Sequence, residues 1–414
     1  MLNFNYIGLT YIFIISLSSL LIPEKEYVLL VSFDGFRYDY TDFADTPNFD
    51  KVKDRGVNAK SLIPVFPTLT FPNHYSIATG CYVDKHRIIG NKFYSKKLDK
   101  FYSMYDRSSV MDSSFYGAEP IWITVEKNGL NSASYFWVGS EAIGKTPSKY
   151  KVYDSSIPFT ARIDSVISWF KLDSNQRPDL SLLYFSEPDH TGHMFGPESM
   201  EVYDMIIQSD QILGYLLEQL NTLDIKDQIN LIILSDHGMS TVTQEKLIYL
   251  DDFIPSDMIE FQGGGAIGMI NQKEKEFSIK KPFKKNRYSL KEIYKRIEFV
   301  EFMDVYKTKN IPSKFDYLNE DSPDFLLVAH NGWFITDKEN SSKVGNTLNG
   351  MHGYDPDFIE THGIFYAMGP SFKRGYSTNS FESIHVYPLI CKILNIPEYE
   401  YIDGDLTKVR ALLR

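Results

Sequence analysis

Three short apolar runs in this sequence break off into side chains that bind cations. Tyr27–Phe33 runs into Asp34-Gly35, Leu180–Phe185 into Glu187-Pro188-Asp189-His190-Thr191-Gly192-His193, and Asn230–Leu234 into Ser235-Asp236-His237-Gly238-Met239. Carboxylate oxygen and imidazole nitrogen without thiolate form a hard-to-borderline donor set, the kind that holds a catalytic zinc with one position open. Asp189 and His193, four apart across Gly192, can turn to one ion from a compact loop, and the adjacent Asp236 and His237 suit a loop that splays two donors. Gly350-Met351-His352-Gly353-Tyr354 sets a further imidazole between glycines, where backbone can approach a crowded site; read alone, His352 is a loop residue. Any one of these aspartates also reads as a turn residue or helix cap. Three separate runs ending in the same chemistry are not explained that way.

A nucleophile candidate stands in Pro67-Thr68-Leu69-Thr70-Phe71-Pro72-Asn73-His74-Tyr75. Pro72 fits the first turn of a helix running through Ile77 and Ala78 to a stop at Gly80. Thr70 then sits near a helix N-terminus, where unpaired amides and the dipole favour a phosphate. Read alone, it is equally an N-cap. A threonine hydroxyl is a poor nucleophile at neutral pH unless a metal lowers its pKa, and no Ser-His-Asp pattern here offers a base.

The elements that must position these groups follow from periodicity. The three apolar runs read as strands buried on both faces. Between them lie amphipathic helices: Ala161–Phe170, with Ile163, Val166, Ile167 and Phe170 on one face, and Met200–Leu220, with Val202, Ile206, Ile212, Leu213, Leu216 and Leu217. Strand and helix alternate, which predicts a doubly wound α/β fold with a mostly parallel sheet and helices on both faces. Ligands of such sheets bind at the carboxyl ends of the strands, where these donors lie. A stretch at about 265–334, with the lysine-rich patch Lys280, Lys281, Lys284, Lys285 and Arg287, reads as a small inserted cap, and Ile384–Leu394 as a closing helix. No repeat or low-complexity linker interrupts the chain.

The formal net charge of -11 over 414 residues excludes a nucleic-acid-coating role, but not a small phosphorylated substrate held by a local metal. Tyr6–Ile22 is uncharged and stops at Pro23-Glu24-Lys25-Glu26, so residues 1–22 read as a signal peptide, or as an anchor if retained; residues 23–414 would form the catalytic domain. Membrane contact is expected only if that segment stays. The expected location is secreted, periplasmic or extracellular. Cys81 and Cys391 are the two cysteines, too few for a disulfide framework, and their apolar neighbours suggest packed thiols. Nothing in the sequence sets an oligomeric state.

Together, Phe33-Asp34-Gly35-Phe36-Arg37, Thr70-Phe71-Pro72-Asn73-His74-Tyr75, Glu187-Pro188-Asp189 with Gly192-His193, Asp236-His237-Gly238-Met239 and His352-Gly353-Tyr354 resemble the nucleotide pyrophosphatase/phosphodiesterase family of the alkaline phosphatase superfamily. The resemblance runs from about Tyr27 to the C-terminus. It implies two Zn²⁺ per chain, one held by Asp34, Asp236, His237 and the Thr70 oxygen, the other by Asp189, His193 and His352. It implies in-line attack by Thr70 on phosphorus, a phospho-threonine intermediate, and a phosphoryl oxygen received by Asn91 with the Phe71 amide. It also implies a base clamped between Phe71 and Tyr153 in a small-molecule nucleotide substrate. Two departures touch the turn before Asn91: Arg87 stands where the family has glycine, and Cys81-Tyr82-Val83 replaces its Leu-Tyr-Pro. No arginine flanks Thr70, which leans towards diesters over the more charged monoesters. Two other readings stay open: a choline-type lysophospholipid phosphodiesterase of the same family, and a zinc-containing binding protein without catalysis.

Overall fold

The computed structural model describes residues 25–272, 289–344 and 346–414. The leader expected at 1–22 and the lysine-rich patch at 280–287 lie outside the described residues.

The main sheet has eight strands: β1 (Tyr27–Phe33), β2 (Val57–Ala59), β3 (Ser132–Tyr135), β4 (Lys149–Lys151), β5 (Leu180–Phe185), β6 (Ile229–Leu234), β11 (Phe365–Met368) and β12 (Tyr376–Thr378). The intervening numbers belong to a second sheet: β7 (Ile259–Gly264), β8 (Ile267–Gln272), β9 (Met303–Lys307) and β10 (Phe325–Ala329). The main sheet is ordered β12-β2-β11-β6-β1-β5-β3-β4. Strand β1 pairs parallel with both β5 and β6, so the chain leaves these three strands at the same edge. Only β11 runs against its neighbours β6 and β2.

Each central strand alternates its side chains between two cores, as a pleated strand covered on both faces must. Val28 and Leu30 of β1, with Ile232 and Leu234 of β6, pack on α2 (Thr70–Thr79), α3 (Ile121–Lys127) and α8 (Val386–Ile393). Leu29, Val31 and Phe33 face the other way, onto α1 (Pro47–Arg55), α4 (Phe159–Phe170) and α6 (Met200–Asn221). All seven residues of β1 are buried.

One face of the second sheet (Met269, Leu326, Val328) joins the first core. Its other face (Ile270, Phe325, Leu327) is closed by Ile293 and Ile297 of α7 (Leu290–Ile297). Among the described residues no helix is long and apolar enough to cross a membrane.

Sequence and structure differ in places. The expected loop at 189–193 is the short helix α5 (Asp189–Phe195), because Pro188 at its N-cap and Gly196 at its C-cap bound about two helical turns. The closing helix is Val386–Ile393, entered through a 3-10 turn at Ser383–His385. Short strands such as Ser132-Ala-Ser-Tyr carry no apolar run, and become strands only through pairing with β5.

Leu30, with no exposure at the centre of the sheet, tests this arrangement: Leu30→Ala should lower unfolding free energy by about 2–5 kcal/mol in a urea titration. A loss below about 1 kcal/mol would place the core elsewhere.

Candidate active site

Asp34 follows β1, Asp236 and His237 follow β6, and α5 follows β5 after Ser186-Glu187-Pro188. Backbone bonds knit these ends together: Asp34 N–H donates to Phe185 O at 2.9 Å, and Asp189 N–H to Asp34 O at 3.0 Å. Gly35 is needed here, since it adopts φ 65° and a Cβ would lie 2.8 Å from Asp189 Cα.

The first group of donors surrounds His237. Its Nε2 lies 3.3 Å from Asp34 Oδ1, 3.1 Å from Asp236 Oδ2 and 3.2 Å from Thr70 Oγ1. The second group is a triangle: Asp189 Oδ1 is 3.5 Å from both His193 Nε2 and His352 Nε2, and those nitrogens are 3.1 Å apart. Asp189 and His193 occupy the first and fifth positions of α5, one above the other on a single helix face. The rings of His237 and His352 stack at 3.6 Å, so His237 is also close enough to be grouped with Asp189 and His352. Its shorter distances assign it to Asp34 and Asp236.

The hydrogen bonds fix what these imidazoles offer. His237 Nδ1 faces Gly238 O at 2.9 Å, His193 Nδ1 faces Gly350 O at 2.8 Å, and His352 Nδ1 faces Thr68 O at 2.8 Å. A carbonyl only accepts, so each Nδ1 carries the proton and each Nε2 presents a lone pair to the site. Asp34 Oδ1, Asp189 Oδ1 and Asp236 Oδ2 are buried and have no hydrogen-bond partner. Lone pairs therefore face one another across 3.1 to 3.5 Å, an arrangement that a divalent cation at each group relieves. The donor set fits: Asp34, Asp236 and His237 form one candidate metal group, Asp189 and His352 belong to a second that also takes in His237, and His193 stands 3.5 Å from Asp189 and 3.1 Å from His352.

Protonation follows the same logic. Burial, then Asp236 and Asp189, push the Asp34 carboxyl well above the usual range, against a Tyr184 hydrogen bond. At Asp236 burial is outweighed by the His237, His74 and His352 imidazoles, and its pKa falls below the usual range. Burial, with His237 and His193 beside it, drives His352 well below an ordinary imidazole, so it stays neutral.

Thr70 is the first residue of α2, after Leu69 at the N-cap, and its own side chain makes no cap bond. Its hydroxyl instead faces His237. Asn91 is half-buried beside it, and its Oδ1 accepts the Phe71 N–H at 3.0 Å. The amide that the resemblance pairs with Asn91 on a phosphoryl oxygen is thus bonded to Asn91 itself, leaving the Asn91 NH₂ end for a ligand.

Next to Thr70 opens a cavity of ≈ 280 Å³, whose lining includes Phe71, Tyr105, Trp137, Tyr153, Asp34 and Asp189. Tyr102 braces Phe71 edge-on at 6.2 Å, and Phe136 braces Tyr153 at 5.1 Å. Arg107 also lines this cavity, ion-paired with the buried Glu141, which accepts Tyr153 N–H at 2.9 Å. Sequence reasoning found no arginine next to Thr70; the fold supplies one from another segment, already engaged by a carboxylate.

Sequence reasoning gave no role to several groups behind the donors. His74, fully buried, donates from Nδ1 to Thr70 O at 3.0 Å and lies 3.2 Å from Asp236 Oδ2. Its Nε2 then accepts from Ser32 Oγ at 2.9 Å. Tyr184 O–H donates to Asp34 Oδ2 at 2.5 Å. His74 could have been found, since it lies one helical turn after Thr70; Tyr184 inside a strand gave no signal.

Comparisons with known proteins identify the family and the fold. The family model described as type I phosphodiesterase / nucleotide pyrophosphatase matches residues 28–355. A venom phosphodiesterase of Naja atra is 37% identical over 90% of this chain and 45% of its own length, so the chain spans about half of that relative. Human ectonucleotide pyrophosphatase/phosphodiesterase family member 5 is 35% identical over 94% of this chain and 79% of its own. A solved structure of the human member 5 superposes with a TM-score of 0.86 at 35% identity, covering 94% of this chain and 100% of that one. A murine member 5 structure, described as an inactive Thr→Ala variant in complex with AMP, has the same TM-score of 0.86 at 32% identity, with 94% and 100% covered.

The raised Asp34 pKa has a defined sign. In metal-free protein this group stabilises the fold in acid, and that contribution is lost as pH rises through the folded pKa. In chelator, melting temperature should therefore fall more steeply from pH 5 to pH 8 for the wild type than for Asp34→Asn. A divalent ion at pH 8 should restore the wild type alone. Equal slopes, or equal rescue by metal, would remove Asp34 from a cation site.

Proposed function

This chain belongs to the type I phosphodiesterase / nucleotide pyrophosphatase family, and from that premise we propose that it hydrolyses nucleotide phosphodiester or pyrophosphate bonds through a phospho-threonine on Thr70. The observation that carries this reading is the position of Thr70 Oγ1, 3.2 Å from His237 Nε2 and on the wall of an aromatic cavity. One hydroxyl thus borders both a cluster of cation donors and a slot for a flat ring.

Asp34, Asp236 and His237 would hold one zinc ion and Asp189, His193 and His352 another. Bound there, the ions would neutralise phosphate charge and lower the pKa of a hydroxyl at an open position. The chain's own residues supply the rest. His74 fixes the Thr70 carbonyl and hence the direction of Oγ1. Thr70 Oγ1 forms a bond to phosphorus as the leaving oxygen departs in line, and water then cleaves the phospho-threonine and regenerates the hydroxyl. Asn91 meets a non-bridging oxygen with its NH₂, held in place by the Phe71 amide. Phe71 and Tyr153 offer faces for a base, each stacking contact worth roughly 1–3 kcal/mol. Support also comes from the murine relative, whose inactive variant is a Thr→Ala change and binds AMP. The names of the relatives, venom enzymes and ectoenzymes, support an extracellular location.

The choline-lipid alternative is less well supported, because the slot that would receive a quaternary ammonium already contains the Arg107 guanidinium. A binding protein without catalysis would have no use for a nucleophile positioned at an open donor cluster.

Purified protein should turn over the nitrophenyl ester of a nucleoside 5′-monophosphate and leave nitrophenyl phosphate and a choline lysophospholipid nearly untouched, with activity lost in chelator. Faster release from the monoester or the lipid would overturn the substrate class. Thr70→Ala should lower kcat by at least roughly 10³-fold with metal content near the wild type; unchanged turnover would refute the nucleophile. Tyr153→Ala should raise KM for the nucleotide ester by roughly tenfold, and an unchanged KM would take the base out of this slot.

A further inference from the structure

Arg87 is one of the two places where this sequence departs from the family pattern. It caps the short helix Val83–His86 in the left-handed conformation, at φ 67°. That backbone is strained for any residue with a Cβ, and glycine would adopt it freely. The Arg87 side chain, however, reaches the second sheet. Its Nε and Nη2 donate to Asp321 Oδ2 at 3.3 and 3.1 Å. Asp321 is 1% exposed, in the segment that leads into β10. Its other oxygen, Oδ1, accepts Ser95 O–H at 2.6 Å and Lys97 N–H at 3.0 Å.

One buried carboxylate therefore grips the chain at both ends of a single excursion, at Arg87 on the way in and at Ser95 and Lys97 on the way out. Asn91 lies between these grips. The excursion is steadied at two further points: Ile89 O accepts Tyr317 O–H at 3.2 Å, and Tyr94 N–H donates to Gln262 Oε1 at 2.6 Å. Tyr317 and Gln262, like Asp321, come from the region of the second sheet.

We infer that Arg87 and Asp321 are positioning residues for Asn91: their ion pair clamps the 87–97 segment so that the Asn91 carboxamide is held towards the phosphoryl group above Thr70. The inference rests on the reading of Asn91 as the phosphoryl-oxygen donor. On this account the arginine replaces the conformational ease of glycine with a charged tether of two N–H groups to one carboxylate oxygen, and an uncompensated charge at either end would loosen the excursion. The second sheet contributes to turnover through this carboxylate without touching substrate.

The test is a set of double-mutant cycles on the full chain, with a nitrophenyl nucleotide diester as substrate. Arg87→Gly relieves the backbone while removing the tether, and Asp321→Asn removes the charge while keeping the shape. Each should lower kcat by about 10- to 100-fold, with KM changed by less than roughly twofold and metal content unchanged. In an Asn91→Ala background the same changes should add less than roughly twofold. Full additivity with Asn91→Ala, or wild-type kcat in Arg87→Gly, would overturn the clamp. Ser95→Ala, which leaves the ion pair intact, should show a smaller loss with the same coupling, and it decides the matter if Asp321→Asn does not fold; additivity there overturns the clamp equally. Wild-type turnover of Asn91→Ala alone would instead refute the role of Asn91, a failure separable from that of the clamp.

Discussion

Three imidazole lone pairs and three carboxylate oxygens without hydrogen-bond partners face one another across 3.1 to 3.5 Å. The site depends on this repulsion being held in place. Carbonyls of Gly238, Gly350 and Thr68 pin the imidazoles from behind, so none can turn its N–H inwards to relieve a carboxylate. Tyr184 holds the other oxygen of Asp34, and Gly35 N–H donates to the other oxygen of Asp236 at 3.3 Å. Donors held this way cannot relieve one another, and their chemistry fits a divalent cation.

The sheet makes this affordable. Strands β1, β5 and β6 are buried on both faces and leave the sheet at the same edge, so the donors inherit their positions from the stiffest part of the molecule. Close backbone approach completes the arrangement. A Cβ on Gly350 would lie 2.2 Å from Gly192 O, and that approach brings the Gly350 carbonyl to His193. Thr68 holds the 352–353 loop at two points: its carbonyl orients His352, while its hydroxyl accepts Gly353 N–H at 2.9 Å, just before Thr70 begins its helix.

Work is divided among segments far apart in the chain. The segments after β1, β5 and β6, with the loop at His352, carry the candidate cation donors, and α2 carries the Thr70 hydroxyl. The aromatic slot is built from the segments after β3 and β4, at the opposite edge of the sheet from β12. The second sheet approaches from the side of Asn91 through Asp321, Tyr317 and Gln262. Changes in the slot can therefore alter which ring is received without disturbing the donors, because the two share few side chains beyond Asp34, Thr70 and Asp189.

The sequence by itself determined the central strands, the alternation that makes the fold α/β, and the donor types at Asp34, Asp189, His193, Asp236, His237 and His352, because buried parallel strands and metal-donor chemistry both leave local marks. It also marked Thr70 through Pro72 and Gly80, which bound its helix. Tertiary structure alone decided the rest. Strands as short as Ser132–Tyr135 exist through pairing, α5 closed as a helix where the sequence suggested a loop, and Arg107 entered the slot from a segment with no motif. The tautomers of the three imidazoles depend on carbonyls that, for His193 and His352, lie 157 and 284 residues away. No local pattern encodes a hydrogen bond between segments that meet only when the sheet closes, and for that reason the direction of each lone pair belongs to the fold.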